Sequence, residues 1–294
     1  MNINDFSRYL MENNSTANST HVRDLYCTEL FVGPLVWAVF TAPCACVGVP
    51  ASVWLLWVLI QRQRSGLSND VYMLNLTIMD LIFNAYIILD ILNFFVWKVD
   101  VLLHVAFVVQ YFSVCGRLLF MASVCVDCYM AVVHPVMYMT LKHSRFRMVT
   151  CAVIWAFTLG WGMQFVLCDN YVPVILSPIP SCIAILLIAL CDITIFCFLR
   201  KPDPSGRSDI HPLKKRVLQV LIDSLVMTVV SFFVPMVLEF ALSLSLSPEE
   251  IKCSLSYPVM IFSTLGSTIL PLLHLGNLGN LKSLSGCGCG TNNT

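Results

Sequence analysis

Residues 31–60 read FVGPLVWAVFTAPCACVGVPASVWLLWVLI, thirty positions without one charged side chain. About 20 apolar residues suffice for a helix to cross the hydrocarbon of a bilayer. Working outward along the chain, six more runs of this kind follow. Residues 71–96 are apolar apart from Asp80 and Asp90, and residues 101–126 contain only Arg117. Residues 148–167 carry no charge, residues 177–199 only Asp192, residues 217–246 Asp223 and Glu239, and residues 253–275 none. One such run is also how a buried core helix of a soluble protein reads, but seven in succession are not. None alternates polar with apolar residues as the strands of a lipid-embedded barrel must. The expected fold class is all-α, a seven-transmembrane helix bundle.

Composition agrees. Of 294 residues, 58% are hydrophobic and 12% charged, against roughly 25% charged in soluble domains. Mean hydropathy is +0.80. A soluble enzyme is excluded first. Lys+Arg and Asp+Glu balance at 17 each, so no basic excess points to nucleic acid. Glycine (13) and proline (14) are ordinary, which removes collagen-like and low-complexity readings.

Seven crossings place the two ends on opposite sides. Asn13, Asn14 and Asn18 each open an Asn-x-Ser/Thr sequon, so they are expected to be glycosylated outside. Asn75 opens a fourth inside an apolar run, where it is expected to stay unused. One set of loops holds 12 basic residues: Arg62, Arg64, Lys142, Arg145, Arg147, Arg200, Lys201, Arg207, Lys214, Lys215, Arg216 and Lys282. The other set, with the amino terminus, holds 4: Arg8, Arg23, Lys98 and Lys252. That excess puts the amino terminus outside. Cys287 and Cys289 follow the last run, a usual place for cytoplasmic palmitoylation. The expected layout is an extracellular, glycosylated amino terminus over 1–30, a seven-transmembrane domain over 31–275 and a short cytoplasmic tail over 276–294. The first 25 residues lack an apolar core, so the first membrane helix is expected to serve as export signal. No second domain is expected in the short tail.

Catalytic chemistry has no foothold. There is no His-Glu-x-x-His, Gly-x-Ser-x-Gly, phosphate-cradling loop or convincing carboxylate pair, so neither an enzyme, a cofactor nor a metal is expected. His143 and His211 read as solvated loop residues. Intramembrane charge costs roughly 2.5–3.5 kcal/mol on insertion scales, which makes each such residue a functional candidate. Asp80 and Arg117 both lie near mid-depth of their runs, so an internal Asp80–Arg117 ion pair would relieve two desolvation costs together. The alternative is that each meets water alone. Among the 14 cysteines, Cys27, Cys168 and Cys253 fall outside. Cys27 precedes the first run and Cys253 the seventh, which are neighbours in a closed bundle. They form a bridge there or stay free thiols. Cys168 is unpaired or meets Cys182.

The stretch from Ser113 to Tyr138, SVCGRLLFMASVCVDCYMAVVHPVMY, resembles the third helix and second inner loop of rhodopsin-like (class A) G-protein-coupled receptors. Asp127-Cys128-Tyr129 stands where that family has Asp-Arg-Tyr, and Val133-His134-Pro135 is similar to its Val-x-His-Pro. Asn75-Leu76-Thr77-Ile78-Met79-Asp80-Leu81 resembles the second-helix motif, Trp155 the fourth-helix tryptophan and Phe233-Val234-Pro235 the sixth-helix aromatic-x-Pro. The resemblance covers residues 31 to about 285. It extends to the purinergic, protease-activated and lipid-receptor branch. There Gly48-Val49-Pro50-Ala51-Ser52 resembles Gly-x-Pro-x-Asn, and Cys27 with Cys253 matches a disulfide from the amino terminus to the third outer loop. It also implies a short amphipathic cytoplasmic helix after the seventh segment.

The departures bear on function. Ser52 replaces the first-helix asparagine and Cys128 the arginine that contacts G protein. Leu270-Pro271-Leu272-Leu273-His274 replaces Asn-Pro-x-x-Tyr. Leu103 stands at the usual third-helix outer cysteine, and the central proline of the fifth helix is missing unless Pro180 serves. Arg117 takes a place usually held by a small polar residue near the sodium-binding aspartate, so pairing with Asp80 would exclude sodium.

The resemblance implies a pocket between the outer halves of helices three, five, six and seven. Its candidate lining is His104, Phe107, Val108, Glu239 and Tyr257, with Asp169 and Tyr171 from the second outer loop and Asp90 from below. The outer membrane halves carry no Lys or Arg, so a cationic, neutral or lipid-like ligand is expected rather than a nucleotide. On the inner side, Asp127, Cys128, Tyr129, Arg145, Lys214, Lys215 and Arg216, together with Arg147, are the candidate contacts to a heterotrimeric G protein. The basic ones serve anionic membrane lipids equally well. The implied function is a plasma-membrane receptor that passes a ligand-induced change to a G protein. The alternative is a non-signalling or decoy seven-helix protein, which the altered motifs favour. A transporter ranks third, since no internal repeat is visible.

Overall fold

The computed structural model describes residues 32–65, 70–141, 144–167, 178–200, 212–235, 237, 258 and 260–276. The described residues are helical with short links, and no strand occurs among them. The first helix is Val32–Arg64, the second Val71–Leu92, the third Asp100–Val133, the fourth Ser144–Leu167 and the fifth Pro178–Arg200. The sixth is Pro212–Thr228, continued by a π-helical turn, Val229–Phe233. The seventh is Met260–Gly276. A short helix, Pro135–Leu141, fills the second inner loop. The first five are long and apolar enough to cross a membrane, and the sixth and seventh contribute shorter apolar stretches, Val220–Phe233 and Met260–Gly276. This is the seven-helix bundle expected from the sequence.

The third helix is the hub, packing on the second, fourth, fifth and sixth. Leu76, Met79, Leu118, Phe120 and Met121 form the centre of the core. Around it the polarity is reversed relative to a soluble protein. Val39, Phe40, Trp54, Val153, Leu186, Leu190 and Ile193 face outward, while Asp80, Asn84, Ser113, Arg117, Ser263, Thr264 and Ser267 are buried. Such an apolar exterior is stable only against lipid. Several of the buried hydroxyls avoid the cost of an empty partner by turning back on their own helix. Thr41 donates to Trp37 O, Thr77 to Met73 O and Thr264 to Met260 O.

Two glycines set how closely helices approach. A Cβ at Gly48 would lie 2.8 Å from Asn84 Nδ2 and 2.9 Å from Thr268 Oγ1, so this position lets the first helix meet the second and seventh. Thr268 then donates to Cys44 O at 3.0 Å, tying seventh helix to first. A methyl at Gly266 would overlap Ser231 Oγ, so this glycine brings the seventh helix onto the sixth.

Candidate functional site

The buried polar groups lie in layers along the bundle axis. In the middle, Arg117 Nε of the third helix sits 3.0 Å from Asp80 Oδ1 of the second, with both side chains at most 1% exposed. Arg117 Nη1 donates to Ser263 O at 3.0 Å and to Ser263 Oγ at 3.2 Å on the seventh helix. Phe83 and Phe232 flank the guanidinium, with ring centroids 5.5 and 6.0 Å from its carbon. One arginine thus joins the second, third and seventh helices. The Asp80 contact is close in distance but not aligned as a hydrogen bond, because neither carboxylate oxygen nor Nε and Nη2 makes one. Its strength is therefore coulombic, in a setting where a lone charge would cost several kcal/mol. Arg117 occupies the space beside Asp80 with its own positive charge. Next to it Ser267 Oγ donates to Asn84 Oδ1 at 2.9 Å. Ser52 Oγ, at the usual first-helix asparagine, makes no hydrogen bond.

Asn75 holds a structural post. Trp155 Nε1 donates to its Oδ1 at 2.8 Å, and its Nδ2 donates to Val71 O at 2.8 Å. The tryptophan bond joins the second and fourth helices, and the Asn75 amide nitrogen that a glycan would need is already engaged on its own helix.

At the inner end, Arg147 Nη2 of the fourth helix donates to Asp127 Oδ1 and Oδ2 at 2.6 and 2.9 Å and to Tyr138 Oη at 3.0 Å. Arg147 is only 3% exposed. This corrects the expectation that Arg147 presents a free charge to an acidic partner: Asp127 and the second inner loop already use it. Arg145, two residues earlier, is exposed. Cys128 packs with Ile195, Val217 and Leu221 of the fifth and sixth helices. Tyr129 Oη lies 3.5 Å from His134 Nε2. The sixth helix is held twice: Asp223 Oδ2 lies 3.4 Å from His274 Nδ1, and Ser224 Oγ donates to Asp192 Oδ2 at 2.7 Å. Asp192 and Asp223 were visible as intramembrane charges, and the cost rule applied to Asp80 would have marked them as well.

Toward the outer side, Asp90 is buried, 7% exposed. Tyr86, one turn earlier, donates to Leu102 O at 2.7 Å. Val108 is half-buried. His104 and Phe107 lie on the third helix, but their side chains fall outside the described residues. Asp169, Tyr171, Glu239 and Tyr257 also lie outside them, as do Asn13, Asn14, Asn18, Cys27, Cys168, Cys253, Cys287 and Cys289. The same holds for the side chains of Lys214, Lys215 and Arg216 and for residues 277–294. No metal-binding group of three or more His, Cys, Asp or Glu occurs among the described residues.

Residues 52–182 match the family described as 7 transmembrane receptor (rhodopsin family). Among curated proteins, human Proteinase-activated receptor 3 is 28% identical over 174 residues, 57% of this chain and 46% of that receptor. Lysophosphatidic acid receptor 5 of Bos taurus is 30% identical over 124 residues, 41% of this chain and 34% of that receptor. G-protein coupled receptor 183 of Mus musculus is 26% identical over 125 residues, 41% of this chain and 35% of that receptor. The chain spans less than half the length of each of these relatives.

Proposed function

Because the chain is a rhodopsin-like (class A) seven-helix protein, near the protease-activated and lysophospholipid receptors, we propose that it is a plasma-membrane receptor. Its amino terminus lies outside, it binds an extracellular ligand, and it transmits a conformational signal to a heterotrimeric G protein. The observation that carries the ligand reading is Asp90. A carboxylate only 7% exposed inside an otherwise apolar run is costly to keep. A ligand bearing a cationic or hydrogen-bond-donating group relieves that cost. A polyanion adds to it, which argues against a nucleotide. His104, Phe107 and Val108 of the third helix, with Asp169, Tyr171, Glu239 and Tyr257, are the proposed remaining contacts.

The link from ligand to inner face runs through side chains that span helices. Arg117 joins helices two, three and seven, and about three turns further toward the inner side the Asp127–Arg147–Tyr138 cluster fixes the second inner loop. A shift of the third helix relative to its neighbours has to change both clusters. Arg145, Lys214, Lys215 and Arg216 supply the basic inner surface, and Asp127, Cys128 and Tyr129 the cleft beside it.

The test uses the full chain in lipid nanodiscs and measures guanine-nucleotide exchange on purified heterotrimers of each G-protein class. Exchange above that of empty nanodiscs, for at least one class, is the expected result. Exchange at the empty-disc level for every class, with or without amine- and lysophospholipid-containing ligand panels, overturns the signalling reading in favour of a silent membrane protein. Asp90→Asn is expected to abolish the ligand-driven increment and leave the basal rate in place.

A further inference from the structure

The link from the second helix to the third is a preformed turn. After Leu92 the chain makes a π-helical turn, Asn93–Trp97, and then a left-handed residue, Lys98, with φ of 54°. A residue with a Cβ rarely takes that conformation. Asn93 holds it there with its backbone and both ends of its amide. Lys98 N donates to Asn93 O at 2.7 Å, Val99 N to Asn93 Oδ1 at 2.9 Å, and Asn93 Nδ2 to Val99 O at 3.2 Å. Asn93 itself is buried, and the third helix begins at Asp100. The turn therefore sits one helical turn above Asp90 with its shape already set.

What the turn presents is apolar. Phe95, Val96, Trp97 and Val99 are exposed, and so is Val101 at the start of the third helix, with Val96 at 65% and Val101 at 70%. A loop standing in water gains nothing from such a run of apolar side chains. Between Asp90 and Asp100 the sequence carries a single charge, Lys98, which is also exposed. The run continues the outward apolar surface of the second helix, since Leu89, Leu92 and Val96 are all exposed and follow one another at helical spacing. Depth agrees with this. Counted from the mid-bundle pair at 1.5 Å per residue, Trp97 stands about 25 Å from Asp80 and Val101 about 24 Å from Arg117. A helix tilt of about 20° shortens both. The headgroup layer lies about 15–23 Å from the bilayer midplane, so the turn reaches its level.

We propose that residues 93–101 form an interfacial anchor whose partner is the phospholipid surface at this end of the bundle. Val96, Trp97 and Val101 enter the boundary between acyl chains and headgroups, where an indole ring is favoured. The Lys98 ammonium meets lipid phosphate. The Asn93 bonds make this docking cheap, because the turn has little freedom left to lose on contact. The anchor fixes the height of the second and third helices at the mouth above Asp90. It requires neither a ligand at Asp90 nor a G protein, and no particular orientation of the chain, because both leaflets carry phosphate.

The experiment uses the full chain in phosphatidylcholine nanodiscs, with a genetically encoded environment-sensitive fluorophore at Val96 in one preparation and at Val101 in another. Each is read against lipids that carry a nitroxide quencher either at the headgroup or deep in the acyl chain, and against iodide in the water. Both fluorophores are expected to emit at blue-shifted wavelength, to lose most intensity to the headgroup nitroxide and to be protected from iodide. A fluorophore at Leu190, an outward residue in the middle of the fifth helix, is expected to lose most to the deep nitroxide. Lys98→Glu, placed in the Val96 preparation and checked for folding by its thermal transition, is expected to lose headgroup quenching and gain iodide quenching. Fluorophores at both sites that iodide quenches and neither nitroxide touches overturn the anchor, and the patch is then a water-facing surface open to a protein. Headgroup quenching in Lys98→Glu equal to that of the unsubstituted chain also overturns it, since the lysine then meets no phosphate.

Discussion

At the scale of single residues, the buried charges make the sharpest demands. Removing one partner of a buried ion pair leaves the other uncompensated and typically costs about 3–5 kcal/mol. Arg117→Ala should therefore destabilise the bundle by about that amount, because Asp80 is left 0% exposed without a cation. Arg117→Met with Asp80→Leu removes both charges and should recover most of the loss, which thermal unfolding in nanodiscs measures. If the double variant is no more stable than Arg117→Ala, the pair is not what the arginine is for. Asp127 raises a different point. Its counter-charge comes from Arg147 on the fourth helix, whereas Cys128 beside it packs among apolar residues. Restoring an arginine with Cys128→Arg therefore sets two guanidinium groups to compete for one carboxylate. The combined Cys128→Arg and Arg147→Gln variant should raise nucleotide exchange more than Cys128→Arg alone, and equal rates in the two would refute the competition. The sequence made Asp80 and Arg117 conspicuous as isolated charges in apolar runs. It did not reveal Arg147, because a basic residue at a helix end reads as an inner-loop charge until the Asp127 carboxylate is seen to face it.

At the scale of elements, hydropathy located the helices and missed their ends. The third run was expected over 101–126, yet the helix continues to Val133 because the backbone ladder tolerates Asp127 and Tyr129 at the membrane boundary. The sixth was expected from 217, yet it starts at Pro212, a residue preorganised for a helix start. The π-turn at Val229–Phe233 has no mark in hydropathy, although Pro235 just beyond it removes a backbone donor to Ser231 O. The turn lies against the seventh helix, where Gly266 leaves room for Ser231. Two glycines in comparable helical settings should then respond oppositely to alanine. Gly266→Ala forces its methyl into Ser231 and should destabilise by about 1–3 kcal/mol, the usual cost of overpacking. Gly160→Ala meets nothing within 4 Å and should be neutral or stabilising by up to about 1 kcal/mol, the helix-propensity gain. Thermal midpoints that move together in the two variants would mean that contact geometry at Gly266 is not the constraint.

At the scale of the whole molecule, what was legible was the sorting of polarity rather than the partnerships. Seven apolar runs dictate seven helices, and the few charges within them must turn inward, because lipid offers no hydrogen bond. Which inward groups meet depends on helix rotation and register, and those are set by packing that no single run encodes. Ser263 as the second partner of Arg117, and His274 as that of Asp223, belong to this class. The sorting itself makes a testable statement about the complete molecule, that its mutational profile is inside-out. Leu190, 64% exposed on the fifth helix, faces the surroundings, whereas Ser52 is fully buried with a hydroxyl that makes no hydrogen bond. In a soluble protein an outward leucine takes Asp without penalty. Here Leu190→Asp places a charge against hydrocarbon, at a cost of about 2.5–3.5 kcal/mol on insertion scales. Ser52→Ala instead removes a buried polar atom with no partner, and should be neutral or stabilising by up to about 1–3 kcal/mol, the desolvation cost of such a group. The amount of each variant reaching the cell surface, together with its thermal midpoint after extraction, reads both effects. Surface expression of Leu190→Asp equal to native would show that the outward face of the fifth helix does not lie against lipid, and the bilayer assignment of this face would fall with it.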